Sequence, residues 1–397
     1  MPHHSLSLPW KRLAPAAVAL AVAAGLAPQS PAAATPVPAG AARVVVEGEG
    51  YGHGHGMSQY GAKVAAERGV GHRAILRHYY PGTSFGKVGG RIKVLITADR
   101  TPDLQVVSRT GLKAKVVGTK RTWRLGKVKK RAARTASRWR AKPLRGGRTA
   151  LQYKKGGWRR LAVVKGSLEF TAGGRPVTLV ARKGHRVAYR GTLRLVPGSR
   201  GGDTVNIVKL EQYLQGVVPQ EVPALWPAEA VRAQAVAARS YAAYERRYDS
   251  HGAFDVYDTT ADQVYGGASA EHPAASRAIR ATRRVAVMHR GAPAFTQFSS
   301  SNGGWMLAGS MPYLVSGRDA YDPVNRWRVV LPLRAFQQRW PSAGRITDLA
   351  VTTHPRAGTW VDTVTITGTG GTYTISGDDF RSWAGLRSAS FRLKPTR

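Results

Sequence analysis

Residues 210–248 read LEQYLQGVVPQEVPALWPAEAVRAQAVAARSYAAYERRY. An apolar lead-in, Tyr213 to Val218, runs into a turn punctuated by Pro219, Pro223 and Pro227, and an alanine-rich tract follows. Ala230, Ala233, Gln234, Ala237, Ala238, Tyr241 and Tyr244 recur at helical spacing, which predicts a helix over 227–248. Pro227 suits the first helical position, where its missing N–H costs nothing. Glu229 adds a negative charge to the first turn, which the helix dipole favours. The odd residue is Glu221, set among Val217, Val218, Val222, Leu225 and Trp226 with a proline two places to either side. On this stretch alone two readings stand. It is a solvated turn glutamate, or a carboxyl whose charged form is destabilised by apolar neighbours and which can act as a general acid.

Around this stretch the chain has 397 residues, a formal charge of +39 and no cysteine. The length allows two or three domains. The missing cysteines exclude a thiolate nucleophile and any zinc site built on thiolates. Residues 1–34 are expected to be a secretory segment: Lys11 and Arg12, an apolar run over 13–26 too short for a comfortable span, and a small-residue cleavage site near Ala34. An uncleaved anchor is the alternative. Removing 1–34 takes two off the charge, which still implies a polyanionic partner, and for an exported chain the nearer polyanion is the cell wall with its anionic polymers. A basic genome also contributes. Residues 35–42 are expected to be a Pro/Ala linker.

Residues 43–62, RVVVEGEGYGHGHGMSQYGA, open with a short strand. His53 and His55 alternate with glycines, so both imidazoles lie on one side of an extended chain. Two imidazoles are too few ligands for a metal, and shaping of a cleft is favoured. Ser58 is expected to cap a helix over 59–68. Residues 88–204 show short alternating strands between Gly-rich turns, a β-rich basic lobe or insertion. Within it, 120–160 interleaves basic residues with Trp123, Trp139, Tyr153 and Trp158. That is either a surface for sugars or polyanions or a flexible charged insertion. FSSSNGGW, residues 298–305, offers many donors to a polyhydroxylated ligand. No nucleophile elbow accompanies its serines, which argues against a serine hydrolase.

Four stretches together resemble the SpoIID/LytB family, that of stage II sporulation protein D and the amidase modifier. They are GHGHGMSQYGA with HYYPGT, residues 213–242, DTTADQVYGG, and FSSSNGGW with MPYL. They cover roughly 43–83 and 205–325, and the β-rich region matches only loosely. The resemblance implies a secreted peptidoglycan enzyme, a lytic transglycosylase acting on peptide-stripped glycan strands, with no cofactor. It places the catalytic glutamate on Glu221 and cleft residues on Gln234, Arg239, Tyr241, Gln263 and Tyr265, with Ser300, Asn302, His53 and His55 beside them. Arg239 is expected to pair with a lactyl carboxylate of the glycan. The GHGHG segment ends the domain in sporulation-type members and comes first here, which implies a permuted order. Some members hold zinc with cysteines, and that site is not carried over.

Glycoside hydrolysis ordinarily uses two carboxylates. Only Asp258 and Asp262 are near contenders for a second, and a lytic transglycosylase needs one. The alternative is a non-catalytic wall-binding protein that enhances an N-acetylmuramoyl-L-alanine amidase, a possible partner. A third, an exported nucleic-acid binder, rests on charge alone, and no motif supports sequence-specific reading. The expected fold is α+β: mixed short-stranded sheets around a groove with a central alanine-rich helix, plus the β-rich lobe. The expected division is 43–87 for the GHGHG segment, 88–204 for the lobe, 205–330 for the catalytic core and 331–397 for a C-terminal α+β extension.

Overall fold

The computed structural model describes residues 33–198, 201–353 and 358–396. Among them the helices are α1 (Gln59–Glu67), α2 (His72–Tyr79), α3 (Arg131–Arg134), α4 (Leu210–Glu221), α5 (Ala228–Tyr248), α6 (Pro273–Ala281), α7 (Leu333–Arg339) and α8 (Gly377–Ala384). Short strands in several small sheets surround them, so the fold is α+β. The centre is α5. Val231, Ala235, Ala238 and Ala242 pack into one core with α4 and the β lobe. Ala233, Val236 and Ala237 pack into a second with Met57, Ile75, Leu76 and Leu314. A helix buried on two sides needs small side chains on both, which explains the alanines.

The β lobe is two sheets on one core. A seven-stranded sheet runs in the order 256–257, 91–95, 201–209, 192–198, 168–171, 113–116, 122–124. A six-stranded sheet runs 157–165, 148–155, 138–144, 104–107, 177–180, 186–189. Residues alternate between core and solvent along these strands, as in Leu104-Gln105-Val106-Val107. Residues 120–160 are therefore not a flexible insertion. They form hairpins, and Trp139 and Tyr153 are core side chains. Only Trp123 and Trp158 stay near the surface, under the guanidinium groups of Arg121 and Arg140 at 4.8 and 4.3 Å. The strand Gly201–Lys209 crosses the expected boundary at 204 and turns directly into α4.

The C-terminal lobe has its own core of Val44, Val46, Phe336, Trp340, Leu349, Val364 and Phe380. The strand Arg43–Glu49 lies between Arg326–Pro332 and Phe391–Thr396. It thus belongs with the 331–397 lobe and not with the GHGHG motif that follows it. Part of the expected linker is also ordered: Thr35 and Pro36 pair with Leu349 and Asp348. The expected secretory segment lies outside the described residues, apart from Ala33 and Ala34.

Candidate active site

The helix α4 forms because Leu210, Tyr213, Leu214, Val217 and Val218 share one buried face. Pro219 lies inside it, against the expected turn over 219–227, and the chain leaves helical geometry only at Val222. A proline near the C-terminal end forfeits one hydrogen bond without breaking the turns before it. Glu221 is consequently the last residue of a helix, where the dipole disfavours a negative charge.

Glu221 is half-buried. Its Oε1 accepts the Val264 N–H at 2.9 Å, and the Gln59 side chain also favours the ionised form of the carboxyl. Burial raises its pKa above the usual carboxylate value, and the Val264 N–H and Gln59 hold back part of the rise. Gln59 opens α1 and is 7% exposed. Ser58 caps that helix, accepting the Gly61 N–H at 2.9 Å and donating to Asp322 Oδ2 at 2.6 Å. Met57–Ser58 pairs in parallel with Phe298–Ser299, and the Tyr60 N–H meets the Ser300 carbonyl at 3.0 Å. The serine loop therefore carries the glutamine motif to Glu221. The half-buried Ser300 contributes this carbonyl.

Next along α1 from Gln59 is one ring of an aromatic pair. Tyr60 and Trp226 rings stand 5.1 Å apart. Tyr60 is 38% and Leu225 82% exposed. Such rings offer flat apolar faces to sugar C–H groups. Sequence reasoning missed Gln59, Tyr60 and Trp226 in this role. The signal was present, a polar and an aromatic residue directly behind a helix cap, but nothing local says which distant loop they meet.

The remaining expected cleft residues divide. Tyr241 donates to Asp262 Oδ1 at 3.0 Å and stacks on Phe295. Gln234 lies one heptad earlier on the same face, fully buried, and neither of its amide atoms has a partner among the described residues. Four expectations are corrected. Arg239 is fully buried on another side of α5, where Nε and Nη2 bond Glu211 at 2.8 and 3.0 Å and Nη1 reaches the Val285 carbonyl. It holds helices together and cannot pair with a substrate carboxylate. Gln263 is fully buried, bridging the Tyr213 hydroxyl and the Ala238 carbonyl. Tyr265 is buried and donates to Asn206. Asn302 is buried against Asp319 and Asp322. Gln263 and Tyr265 anchor the loop that presents the Val264 N–H, and Asn302 braces the serine loop.

His53 and His55 stack at 5.2 Å on one side of the chain, with the His55 N–H donating to His53 Nδ1. Burial, with help from His55 and Arg381, pushes the His53 pKa down to about 4. Their described polar interactions run to each other and to the backbone at Phe298, Leu307 and Ala308, not to Glu221. Among the described residues no group of three or more His, Asp or Glu is placed to hold a metal. Asp258 is occupied by the Thr97 N–H and hydroxyl, and Asp262 by the Tyr257 N–H and Tyr241. Among the described residues, Glu221 thus has no second carboxylate among its hydrogen-bond partners.

A helix-borne glutamate with a raised pKa, fixed by a loop N–H, is chemically suited to acid–base work. Residues 199–289 match the model of the SpoIID family, described as stage II sporulation protein, and the chain carries a domain of the SpoIID/LytB family. It is similar to the "Amidase enhancer" of Bacillus subtilis (strain 168), at 38% identity over 124 residues, 30% of this chain and 17% of that protein. It is also similar to an uncharacterized protein of Brachyspira hyodysenteriae, at 37% identity over 119 residues, 30% of this chain and 32% of that protein. The chain thus spans a third or less of the length of these relatives.

Proposed function

We propose that this chain is a secreted lytic transglycosylase that cleaves the linkage between N-acetylmuramic acid and N-acetylglucosamine in peptide-stripped glycan strands, with Glu221 as acid and base. The carrying observation is the setting of Glu221: raised pKa, a carboxyl oxygen fixed by the Val264 N–H, and, among the described residues, no second carboxylate among its hydrogen-bond partners. An oxygen that accepts a backbone N–H is the poorer seat for a proton, so Oε2 carries it. That proton passes to the glycosidic oxygen as the C1–O bond breaks. The muramoyl C6 hydroxyl then attacks C1 and returns its proton to Glu221, closing a 1,6-anhydro ring. Tyr60 and Trp226 supply the apolar face on which the sugar rests. Export to the wall is supported by residues 1–34 and the charge of +39.

Mass spectrometry of glycan digested by the wild type and by Glu221→Gln tests this. Anhydro ends from the wild type alone are expected, and hydrated reducing ends would overturn it. The match to an amidase enhancer supports a second reading, a wall-binding protein that stimulates an N-acetylmuramoyl-L-alanine amidase. There, purified protein alone releases no glycan fragments, yet raises the rate of an added amidase.

A further inference from the structure

At the end of α4 opposite Glu221 is a cavity of about 450 Å³. Its cations are Arg91, Lys209, Arg283 and Arg284. None of the four forms an ion pair among the described residues, whose salt bridges run elsewhere. The only carboxylate in the lining, Glu211, is already neutralised: Arg239 grips both its oxygens and the Arg284 N–H binds Oε1 at 3.1 Å. Lys209 and Arg91 are direct cross-strand partners. Like charges facing each other across a ladder destabilise it. The fold carries this repulsion at one spot and concentrates it further. Arg284 holds a left-handed φ of 65°. Arg246 reaches over Gly90, its Nη1 3.1 Å from where a Cβ would stand. A bound anion would lift the repulsion.

We propose that this cavity is a binding subsite for phosphate groups of a polyol phosphodiester chain. Several uncompensated cations suit repeated charges better than one carboxylate, and the volume exceeds a lone ion. The lining has no aromatic ring, so no base-stacking platform is present, which disfavours nucleic acid.

The test is anisotropy of a labelled glycerol-phosphate hexamer with full-length protein at physiological salt. Lys209→Gln with Arg283→Gln is expected to weaken binding about tenfold or more and to flatten the salt slope by about 2. The control, Arg159→Gln with Arg160→Gln, removes the same charge from the exposed strand Gly157–Lys165 and is expected to change binding less than about twofold. Both sets are surface substitutions, and thermal melts verify folding. Equal loss in both double variants would overturn the proposal in favour of diffuse charge, and no binding by the wild type would overturn it outright. A thymidine hexanucleotide that binds as tightly and is lost in the same variant would overturn it in favour of nucleic acid. Inorganic phosphate that competes as well, phosphate for phosphate, would make it a free-phosphate site.

Discussion

The side chain of Gln59, at the start of α1, acts on the carboxyl of Glu221, at the end of α4, and favours its ionised form. Two helices with no contact along the sequence thus share one proton-bearing group, and the parallel pairing of Met57–Ser58 with Phe298–Ser299 sets the distance. Removing the amide deletes one interaction that favours the ionised form. Gln59→Ala is expected to shift the high-pH limb of glycan cleavage further upward and to lower the rate about tenfold. A pH–rate profile with an unmoved limb would rule out this coupling.

Glu221→Gln is expected to abolish cleavage, by at least about a thousandfold if acid and base roles are both lost. Its folding stability should not fall. A carboxyl with a raised folded pKa stabilises fully below its unfolded value of 4.5 and loses that contribution as pH rises through the folded value. At neutral pH the charge is a cost, so the neutral amide melts at the same or higher temperature. Parallel activity and melting measurements check both parts.

Arg239→Met should act on folding and not on substrate binding. It leaves Glu211 without its bidentate partner and removes the guanidinium donors to the Ala235, Val285 and Ile279 carbonyls. A loss of about 3 kcal/mol is expected in denaturant unfolding. Arg239→Lys recovers little of it, since an ammonium cannot span both oxygens. KM on the remaining folded protein should stay constant. A selective rise in KM would restore the substrate role.

Glu245 is buried, 5% exposed, and burial with the nearby Asp262 and Asp249 pushes its pKa up to about 8. Its contribution is complete below 4.5 and is lost as pH rises toward 8. Glu245→Gln is therefore expected to be more stable than wild type at pH above 8, by an amount on the order of a few kcal/mol, with the advantage gone in acid. Melting temperatures across pH report this directly.

His53 has the opposite sign. Its folded pKa near 4 lies below the ordinary 6.5, so its contribution is present above 6.5 and drains away as pH falls toward 4. His53→Gln should flatten the acid arm of the stability curve. An unchanged acid arm would show that other groups dominate it.

Much of the local structure was legible in the chain. The helix α5, the Ser58 cap and the β-rich character of 88–204 follow from periodicity, caps and turns, all short-range signals. Glu221 stood out because a carboxyl among valines and a tryptophan is chemically odd wherever the backbone goes. The roles of Arg239, Gln263, Tyr265 and Asn302 were not legible. A polar side chain on a helix or loop reads alike whether it faces a groove or a buried partner, and the partners here, Glu211, Tyr213, Asn206, Asp319 and Asp322, are set by packing.

The sequence alone therefore determined which segments are helix or strand and which carboxyl is anomalous, because propensity, periodicity and apolar surroundings act within a few residues. Only the tertiary structure decided that the Val264 N–H holds that carboxyl, that the Tyr60 and Trp226 rings meet, and that Arg43–Glu49 joins the C-terminal lobe. Those outcomes depend on buried area and strand pairing between segments far apart in the chain, and no short window of sequence contains both partners.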